Sequence, residues 1–282
     1  MEYKIGNLKL KNRFLLAPML EPNDIVFRLL CKKTGCGLTY TGMFSPLSKQ
    51  KLILDDKPAI QLFGNSEKGI ESFIKKYDSE VRLWDFNLGC PSKLSRKLGH
   101  GAFMHKDFET IVKIVKTMKR STKKPVTIKL RKSPQAIELA KLCEPYVDAI
   151  GIHARTIEQG YSGEPDYDFA LKLKKFVKVP VIYSGDVNEK NAKKILKDFD
   201  FVFVGRDAIG NPNIFSELTG TKSKVSFRDY LKLAKKYKLF FRQIKFQGMN
   251  FTKGMDNAKG VRRELINAKT LEDVEELVKT NK

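Results

Sequence analysis

Residues 125–155, PVTIKLRKSPQAIELAKLCEPYVDAIGIHAR, contain two short apolar runs separated by a segment of different period. The runs at 125–131 and 147–155 are rich in β-branched residues, which is typical of strands buried on both faces. Between them, the apolar residues are spaced as in an amphipathic helix. A strand, a helix and a second strand in this order predict a parallel βαβ unit.

The same alternation recurs along the chain and gives eight strand candidates. They are residues 13–18, 37–42, 58–64, 81–87, 125–131, 147–155, 180–186 and 200–207. Eight βα units in a segment of this length fit the α/β fold of a closed (β/α)8 TIM barrel, whose usual size is about 250 residues. An open doubly wound sheet is the alternative, but no G-x-G-x-x-G motif follows the first strand.

The strand pattern stops near residue 222, and helical periods follow. We therefore predict a barrel domain over 1–222 and a small all-helical domain over 223–282, with TLED at 270–273 as a capping box. Residues 224–264 carry 12 Lys and Arg against three acidic residues, a net charge of +9. Their aromatic residues fit a helical core better than a base-stacking surface, the alternative: Tyr230, Tyr237, Phe240, Phe241 and Phe246.

The composition points to a folded protein with a polyanionic partner. With 41% hydrophobic residues the chain can form a large core, and 54 Lys and Arg against 32 Asp and Glu leave a net charge of +22. Nucleic acid is the expected partner, and a surface charged only for solubility is the alternative. The first residues lack a signal peptide's apolar core, so we expect a cytoplasmic protein without a membrane segment. No protein partner is indicated.

The four cysteines do not form a disulfide framework, and their spacing predicts no metal site. Cys90 differs from the others because it lies between a glycine and a proline in residues 85–101, DFNLGCPSKLSRKLGHG. A core cysteine normally lies within a helix or strand. We therefore expect a chemical role for Cys90 beside the basic side chains of Lys93, Arg96 and Lys97.

In a barrel, the active site lies at the carboxyl ends of the strands. The candidate residues at those ends are Pro18, Met19, Gln61, Asn87, Cys90, Lys129, His153, Ser184, Gly185, Asp186, Gly205 and Arg206. Glycines after strands seven and eight, together with Arg206, indicate a phosphate site, although turn glycines beside a surface arginine are equally compatible with them.

Two of these residues carry distinctive chemistry. Lys129 interrupts an apolar strand, so we expect its ammonium in the barrel mouth, where it suits a cofactor that becomes anionic on reduction; outward snorkelling is the alternative. His153 ends its strand with Arg155 close by. We interpret it as a cofactor or substrate contact, with a satisfied core histidine as the alternative.

These motifs resemble the tRNA-dihydrouridine synthases, from LAPM through the Cys90 stretch and GIHARTIEQGYSG to VGRDAIGNP. The resemblance implies an FMN enzyme that uses NADPH to reduce the C5=C6 bond of particular uridines in tRNA. It further implies that Cys90 is the catalytic acid, and that Asn87 and Arg155 contact the substrate together with the three basic residues after Cys90. The remaining strand-end residues would hold FMN, and the C-terminal helices would bind tRNA.

The implied mechanism gives Cys90 a chemical role as a proton donor. Hydride adds to C6 of uracil, and a thiol, protonated at pH 7 with its ordinary pKa of about 8.5, gives a proton to C5 from the opposite face. Two departures limit the match, since the family usually has Asn at Ser184 and commonly Glu at Gly42. Three alternatives remain: a reductase of a free pyrimidine, of the dihydroorotate dehydrogenase type, a catalytically silent tRNA-binding barrel, and a non-redox phosphate-binding barrel.

Overall fold

The computed structural model describes residues 2–21 and 23–280, and its centre is a parallel barrel of eight strands. An antiparallel hairpin comes first, formed by β1 (Tyr3–Ile5) and β2 (Leu8–Leu10). The barrel strands are β3 (Phe14–Leu16), β4 (Tyr40–Phe44), β5 (Ala59–Leu62), β6 (Leu83–Leu88), β7 (Val126–Arg131), β8 (Ala149–His153), β9 (Val181–Ser184) and β10 (Phe201–Val204). Each predicted strand overlaps one of these eight.

The barrel is closed by the first strand, which joins both neighbours. β3 pairs in parallel with β10, and on its other side it meets the segment leading into β4. There the Gly37 amide donates to the Phe14 carbonyl at 2.8 Å, and the Leu16 amide donates to the Leu38 carbonyl at 3.0 Å. These bonds leave β3 without an open edge, so the doubly wound alternative is excluded and the barrel prediction is confirmed.

Helices cover the outside of the barrel between its strands. They are α1 (Ile25–Lys33), α2 (Ile70–Tyr77), α3 (Lys93–Leu98), α4 (Phe108–Ser121), α5 (Ala136–Cys143), α6 (Tyr167–Phe176), α7 (Ala192–Ile195) and α8 (Ile214–Thr219). In α4, Asp107 caps the first turn by accepting from the Thr110 amide at 3.1 Å. Its apolar stripe, which includes Ile111 and Val115, is buried against the strands.

The N-terminal hairpin was not predicted. Ile5 and Leu10 are buried in one cluster with Ala59, Leu83 and Ala149, which lie at the amino ends of the barrel strands. The hairpin therefore covers that end of the barrel. Its signal is present in the sequence, because residues 3–10 alternate apolar and charged side chains around a Gly-Asn turn.

Four further helices follow the barrel: α9 (Phe227–Lys236), α10 (Phe241–Phe251), α11 (Ala258–Asn267) and α12 (Leu271–Thr280). Their apolar side chains, such as Leu231 and Leu265, form a separate cluster with Ile25 and Val26 of α1. The predicted helical end of the chain is confirmed, and Asp273 accepts from the Thr270 amide at 3.0 Å, as expected for the capping box. None of the helices within the described residues is long and apolar enough to span a bilayer.

The prediction that the aromatic residues of this segment are core residues is wrong for two of them. Tyr230 is fully buried, but Phe240 is 78% exposed and Phe246 is 37% exposed. Phe240 caps the start of α10 and lies outside the helix, so the helical spacing that we read from the sequence does not apply to it.

The carboxylate of Asp24 connects the C-terminal helices to the barrel. Asp24 caps α1, where its Oδ1 accepts from the Phe27 amide at 2.9 Å. Its Oδ2 accepts from Gln247 Nε2 at 2.8 Å and from the Tyr230 hydroxyl at 3.2 Å. Since Gln247 is fully buried, its amide nitrogen depends on this acceptor.

We expect Asp24→Ala to lower the free energy of unfolding by about 2–4 kcal/mol, because a helix cap is lost and buried donors lose their acceptor. Asp24→Asn is the matched control. It keeps the cap, and Gln247 can turn its amide so that its unpaired Oε1 accepts from the new amide. We expect it to lose under about 1 kcal/mol. Urea unfolding measures both, and equal losses in the two variants would contradict this account.

Candidate active site

A cavity of about 430 Å³ lies at the carboxyl ends of the barrel strands. Twelve of the sixteen predicted site residues line it: Pro18, Met19, Gln61, Asn87, Cys90, Lys129, His153, Ser184, Gly185, Asp186, Gly205 and Arg206. The other four, Lys93, Arg96, Lys97 and Arg155, do not line it. The cavity thus collects residues from the ends of most of the strands, as the barrel topology requires.

Cys90 lies on a turn that Asn87 holds in place. Asn87 Oδ1 accepts from the backbone amides of Gly89 at 3.1 Å and Cys90 at 3.0 Å. Asn87 Nδ2 donates to Gln61 Oε1 at 2.7 Å. Of the four cysteines, Cys90 alone is partly exposed, whereas the other three are buried. The turn therefore presents one thiol at the cavity wall in a fixed position.

The glycine-rich end of the quoted stretch packs against this turn. Gly101 has φ +65°, and a Cβ atom there would lie 2.8 Å from the Cys90 carbonyl oxygen. The same oxygen accepts from the Ala102 amide at 3.2 Å. Only glycine meets both conditions, so Gly101 is required for the close contact between the two loops.

Lys129 points into the cavity, which excludes outward snorkelling. It is paired in register with Gly151, and a Cβ atom on that glycine would lie 3.2 Å from Lys129 Cγ. Burial lowers the pKa of Lys129 to about 8, the charge of Arg131 acts in the same direction, and Asp85 opposes them. Within the described part of the chain, Lys129 forms no ion pair, so its ammonium is available to an anionic ligand.

His153 presents an unsatisfied ring nitrogen. Its Nδ1 lies 3.3 Å from the Ser184 hydroxyl, whereas its buried Nε2 has no hydrogen-bond partner among the described residues. Burial and, after it, the charges of the neighbouring cations, led by Lys129, together lower the pKa of His153 to about 2. The imidazole is therefore neutral at physiological pH and can form one more hydrogen bond with a ligand.

Asp186, which follows β9, joins the two arginines that follow β8 and β10. Both Arg206 and Arg155 form ion pairs with its carboxylate. Burial acts to raise the pKa of Asp186, but these guanidinium groups hold it below its usual value. The preceding residue, Gly185, has φ +148°, and a Cβ atom there would meet Pro165 Cβ at 2.9 Å. Arg206 is thereby held at the cavity wall beside a glycine backbone.

Arg155 is buried and does not line the cavity, so its contact with a substrate stays a prediction. It is 1% exposed, and its Nε donates to the carbonyls of Ser162 at 3.1 Å and Gly163 at 3.0 Å. It is placed to position Asp186 and the loop after β8. Lys93, Arg96 and Lys97 are exposed on α3, which begins three residues after Cys90.

The cavity wall also contains residues that sequence reasoning missed, among them Arg131 and Tyr161. Arg131 ends β7, and its Nε donates to the Gly89 carbonyl at 2.7 Å, which supports the cysteine turn from below. Tyr161 is 58% exposed, with the guanidinium carbons of Arg131 and Arg206 at 5.6 Å and 5.4 Å from its ring centroid. The strand-end rule that selected Lys129 also applies to Arg131, two residues further along the same strand face.

We expect the His153 imidazole to remain neutral between about pH 8 and about pH 5, since its pKa lies far below the ordinary value of about 6.5. The unfolded chain binds this proton near pH 6.5 and the folded chain does not, so His153 makes the folded protein less stable as pH falls below that value. NMR of the ring resonances, assigned with His153→Asn, measures the titration. A midpoint near pH 6.5 would contradict the prediction.

Comparison with known proteins places the chain in a family. The family model described as dihydrouridine synthase matches residues 15–280. A probable tRNA-dihydrouridine synthase of Rickettsia conorii is 34% identical over 237 residues, which cover 76% of this chain and 72% of the relative. The tRNA-dihydrouridine synthase B of Vibrio vulnificus is 31% identical over 236 residues, covering 76% of this chain and 73% of the relative.

Solved structures share the barrel at much lower identity. Morphinone reductase in complex with tetrahydroNAD superposes with a TM-score of 0.54 at 11% identity, covering 82% of this chain and 93% of the other. The old yellow enzyme homologue from Zymomonas mobilis has a TM-score of 0.56 at 12% identity, covering 81% and 95%. These two likenesses show the fold. The family match extends over nearly the whole described chain, and the protein is therefore a member of the dihydrouridine synthase family of oxidoreductases.

Proposed function

We propose that this protein reduces the C5=C6 bond of particular uridines in tRNA to dihydrouridine, with FMN as cofactor and NADPH as reductant. The observation that carries the proposal is the position of Cys90. Its partly exposed thiol lies at the wall of a cavity that also contains an unpaired ammonium, Lys129, and a neutral imidazole, His153. Family membership supports the same reaction. We place it in the cytoplasm, where tRNA is available.

The cavity wall fits a flavin phosphate and ring. His153 Nε2 is a buried polar atom without a partner among the described residues. Lys129 is a cation without a counterion there, and Gly185 contributes backbone, without a side chain, to the cavity wall. We assign the ring contacts to Pro18, Met19, Gln61, Lys129 and His153, and the phosphate contacts to Ser184, Gly185, Asp186, Gly205 and Arg206. A hydroxyl at Ser184 can donate to phosphate as an amide does.

We infer the proton donor of the reaction from the position of Cys90. When bound, reduced flavin supplies the hydride that uracil receives at C6. The charge that develops on the ring is neutralised by the thiol proton of Cys90, which passes to C5 from the opposite face. Asn87 fixes the Cys90 amide, so the thiol needs no rearrangement before transfer. We assign Asn87 and Arg131 to the uracil edge, with Arg155 acting through Asp186.

The basic surface outside the cavity can bind the phosphates of the RNA. The target base must leave its stack to reach the cavity, and its neighbouring phosphates then lie against the rim. Lys93, Arg96 and Lys97 are exposed next to the cysteine turn and can meet these phosphates. We assign the rest of the tRNA to the helical domain, residues 223–282, and the chemistry to residues 1–222.

The proposal is tested by the visible spectrum of the purified protein and by mapping dihydrouridine in tRNA after incubation with NADPH. We expect a flavin spectrum and dihydrouridine at defined positions. In Cys90→Ala we expect bound flavin and unchanged reduction by NADPH, but single-turnover dihydrouridine formation slower by about 10²–10⁴-fold, the usual contribution of a general acid. A wild-type rate in Cys90→Ala would remove the acid role.

The three alternatives give different results in the same measurements. Turnover of dihydroorotate or free uracil without RNA would favour a reductase of a free pyrimidine. A colourless protein that resists FMN and binds tRNA indifferently to Cys90→Ala would be a silent binding barrel. Flavin-free protein that binds a sugar phosphate would indicate a non-redox barrel.

Charge removal tests the RNA role of the helical domain without deleting it, since deletion would expose Ile25 and Val26 of α1. We expect Lys238→Gln with Arg242→Gln to weaken tRNA binding about 5–20-fold and to reduce the salt slope by up to about 2, because each lost phosphate contact releases fewer counterions. Lys172→Gln with Lys175→Gln, on exposed α6 positions, is the matched control. Equal effects of the two pairs would argue against a role for the domain.

A further inference from the structure

A continuous series of hydrogen bonds connects the buried carboxylate of Asp85 to the cysteine turn. Asp85 Oδ2 accepts from Gln61 Nε2 at 2.7 Å, and Gln61 Oε1 accepts from Asn87 Nδ2 at 2.7 Å. Asn87 Oδ1 then accepts from the Cys90 amide at 3.0 Å. The other oxygen, Asp85 Oδ1, accepts from the Thr127 hydroxyl at 2.5 Å.

Asp85 is fully buried and does not line the cavity, so it acts only through its neighbours. It is paired in register with Gln61 on β5 and with Thr127 on β7, which places the three side chains in one layer of the barrel interior. Lys129 and Asn87 lie in the next layer toward the cavity. The carboxylate therefore supports the floor of the site.

The carboxylate of Asp85 sets the donor–acceptor direction of this series of hydrogen bonds from one end. An ionised carboxylate can only accept, so the Gln61 amide must turn its nitrogen toward Asp85 and its oxygen toward Asn87. Asn87 must then donate with its nitrogen, which directs its oxygen to the backbone of the cysteine turn. An amide by itself has no preference between its two orientations. Asp85 supplies that preference for Gln61, and the backbone amides of Gly89 and Cys90, which can only donate, set the matching orientation of Asn87 from the other end.

Burying the carboxylate of Asp85 carries an electrostatic penalty. Burial raises the pKa of Asp85 to about 6, although the hydrogen bonds from Thr127 and Gln61 and the charge of Lys129 act to lower it. At neutral pH the carboxylate is ionised without a direct ion pair among the described residues. Such a group is expensive to bury, and an apolar residue would serve the packing as well.

We propose that Asp85 is a positioning residue that orients Gln61, through it holds the amide nitrogen of Asn87, and thereby stabilises the turn that presents Cys90. This inference rests on the proposed role of Cys90 as the acid. The hydrogen-bonded series itself does not depend on that role, so one of the two measurements below needs no reaction.

The first measurement is the rate at which iodoacetamide modifies Cys90, mapped by mass spectrometry. The buried cysteines, Cys31, Cys36 and Cys143, serve as internal standards, because burial raises the pKa of each thiol and they react only if the protein unfolds. In Asp85→Leu, a near-isostere without an acceptor, we expect the turn to loosen and Cys90 to react at least about fivefold faster, as for one lost hydrogen bond.

The second measurement is single-turnover dihydrouridine formation with tRNA affinity measured separately. We expect Asp85→Leu to slow formation about tenfold or more, with tRNA affinity within about twofold of wild type. Asp85→Asn should stay within about threefold, because its amide oxygen can still accept from Gln61 and its nitrogen can donate to Thr127. If Asp85→Leu does not fold, Asp85→Ala, which leaves space instead of crowding it, takes its place.

Thr127→Val, measured at pH 8 so that Asp85 stays ionised after the Thr127 hydrogen bond is lost, is the matched control, since it removes the bond to Asp85 Oδ1 and leaves the series to Cys90 intact. We expect it to match wild type within about twofold in both measurements. The positioning role is overturned if Asp85→Leu resembles wild type, or if Thr127→Val is impaired as strongly as Asp85→Leu. A wild-type protein that forms no dihydrouridine would sink the proposed function, while Cys90 modification would still test the series.

Discussion

Parallel pairing of eight strands into a closed ring is the constraint on which the site depends. Every strand runs in the same direction, so all carboxyl ends meet at one rim. Gln61, Lys129 and Ser184 are far apart in the chain and reach one cavity for this reason. The two backbone hydrogen bonds beside Leu38 complete the ring, and without them β3 and β4 would be open edges.

The eight strands could be predicted because strands buried on both faces consist of unbroken β-branched runs, as at 147–155. The strand-end rule then brought most of the candidate residues together, although their roles remain predictions. The family resemblance, and not that rule, assigns Arg155 to the substrate, and Arg155 does not line the cavity. A residue two positions past a strand end can point beneath the loop as easily as into the cavity, and only the fold decides. The prediction that Phe240 is a core residue fails for a related reason, because helical periodicity carries no information about a residue that caps a helix.

Cationic side chains dominate the charge around His153 in the cavity. Lys129, Arg131, Arg155 and Arg206 surround His153 closely enough to lower its pKa, while Asp186 balances only two of them and Asp85 lies a layer below. Such a site repels protons and cations and is relieved by an anion. An anionic ligand would therefore stabilise the folded protein as well as occupy it. Binding and stability are linked through the same side chains.

The N-terminal hairpin bears on the route by which ligands reach the cavity. Ile5 and Leu10 cover the amino end of the barrel, and buried side chains fill its interior, so a ligand reaches the cavity from the end where the strands finish. Under the proposed reaction, a nicotinamide and a flipped-out base would therefore enter through the same opening. Two ligands that need the same space there would compete for it, so the closed amino end limits how many reactants the site can hold at once.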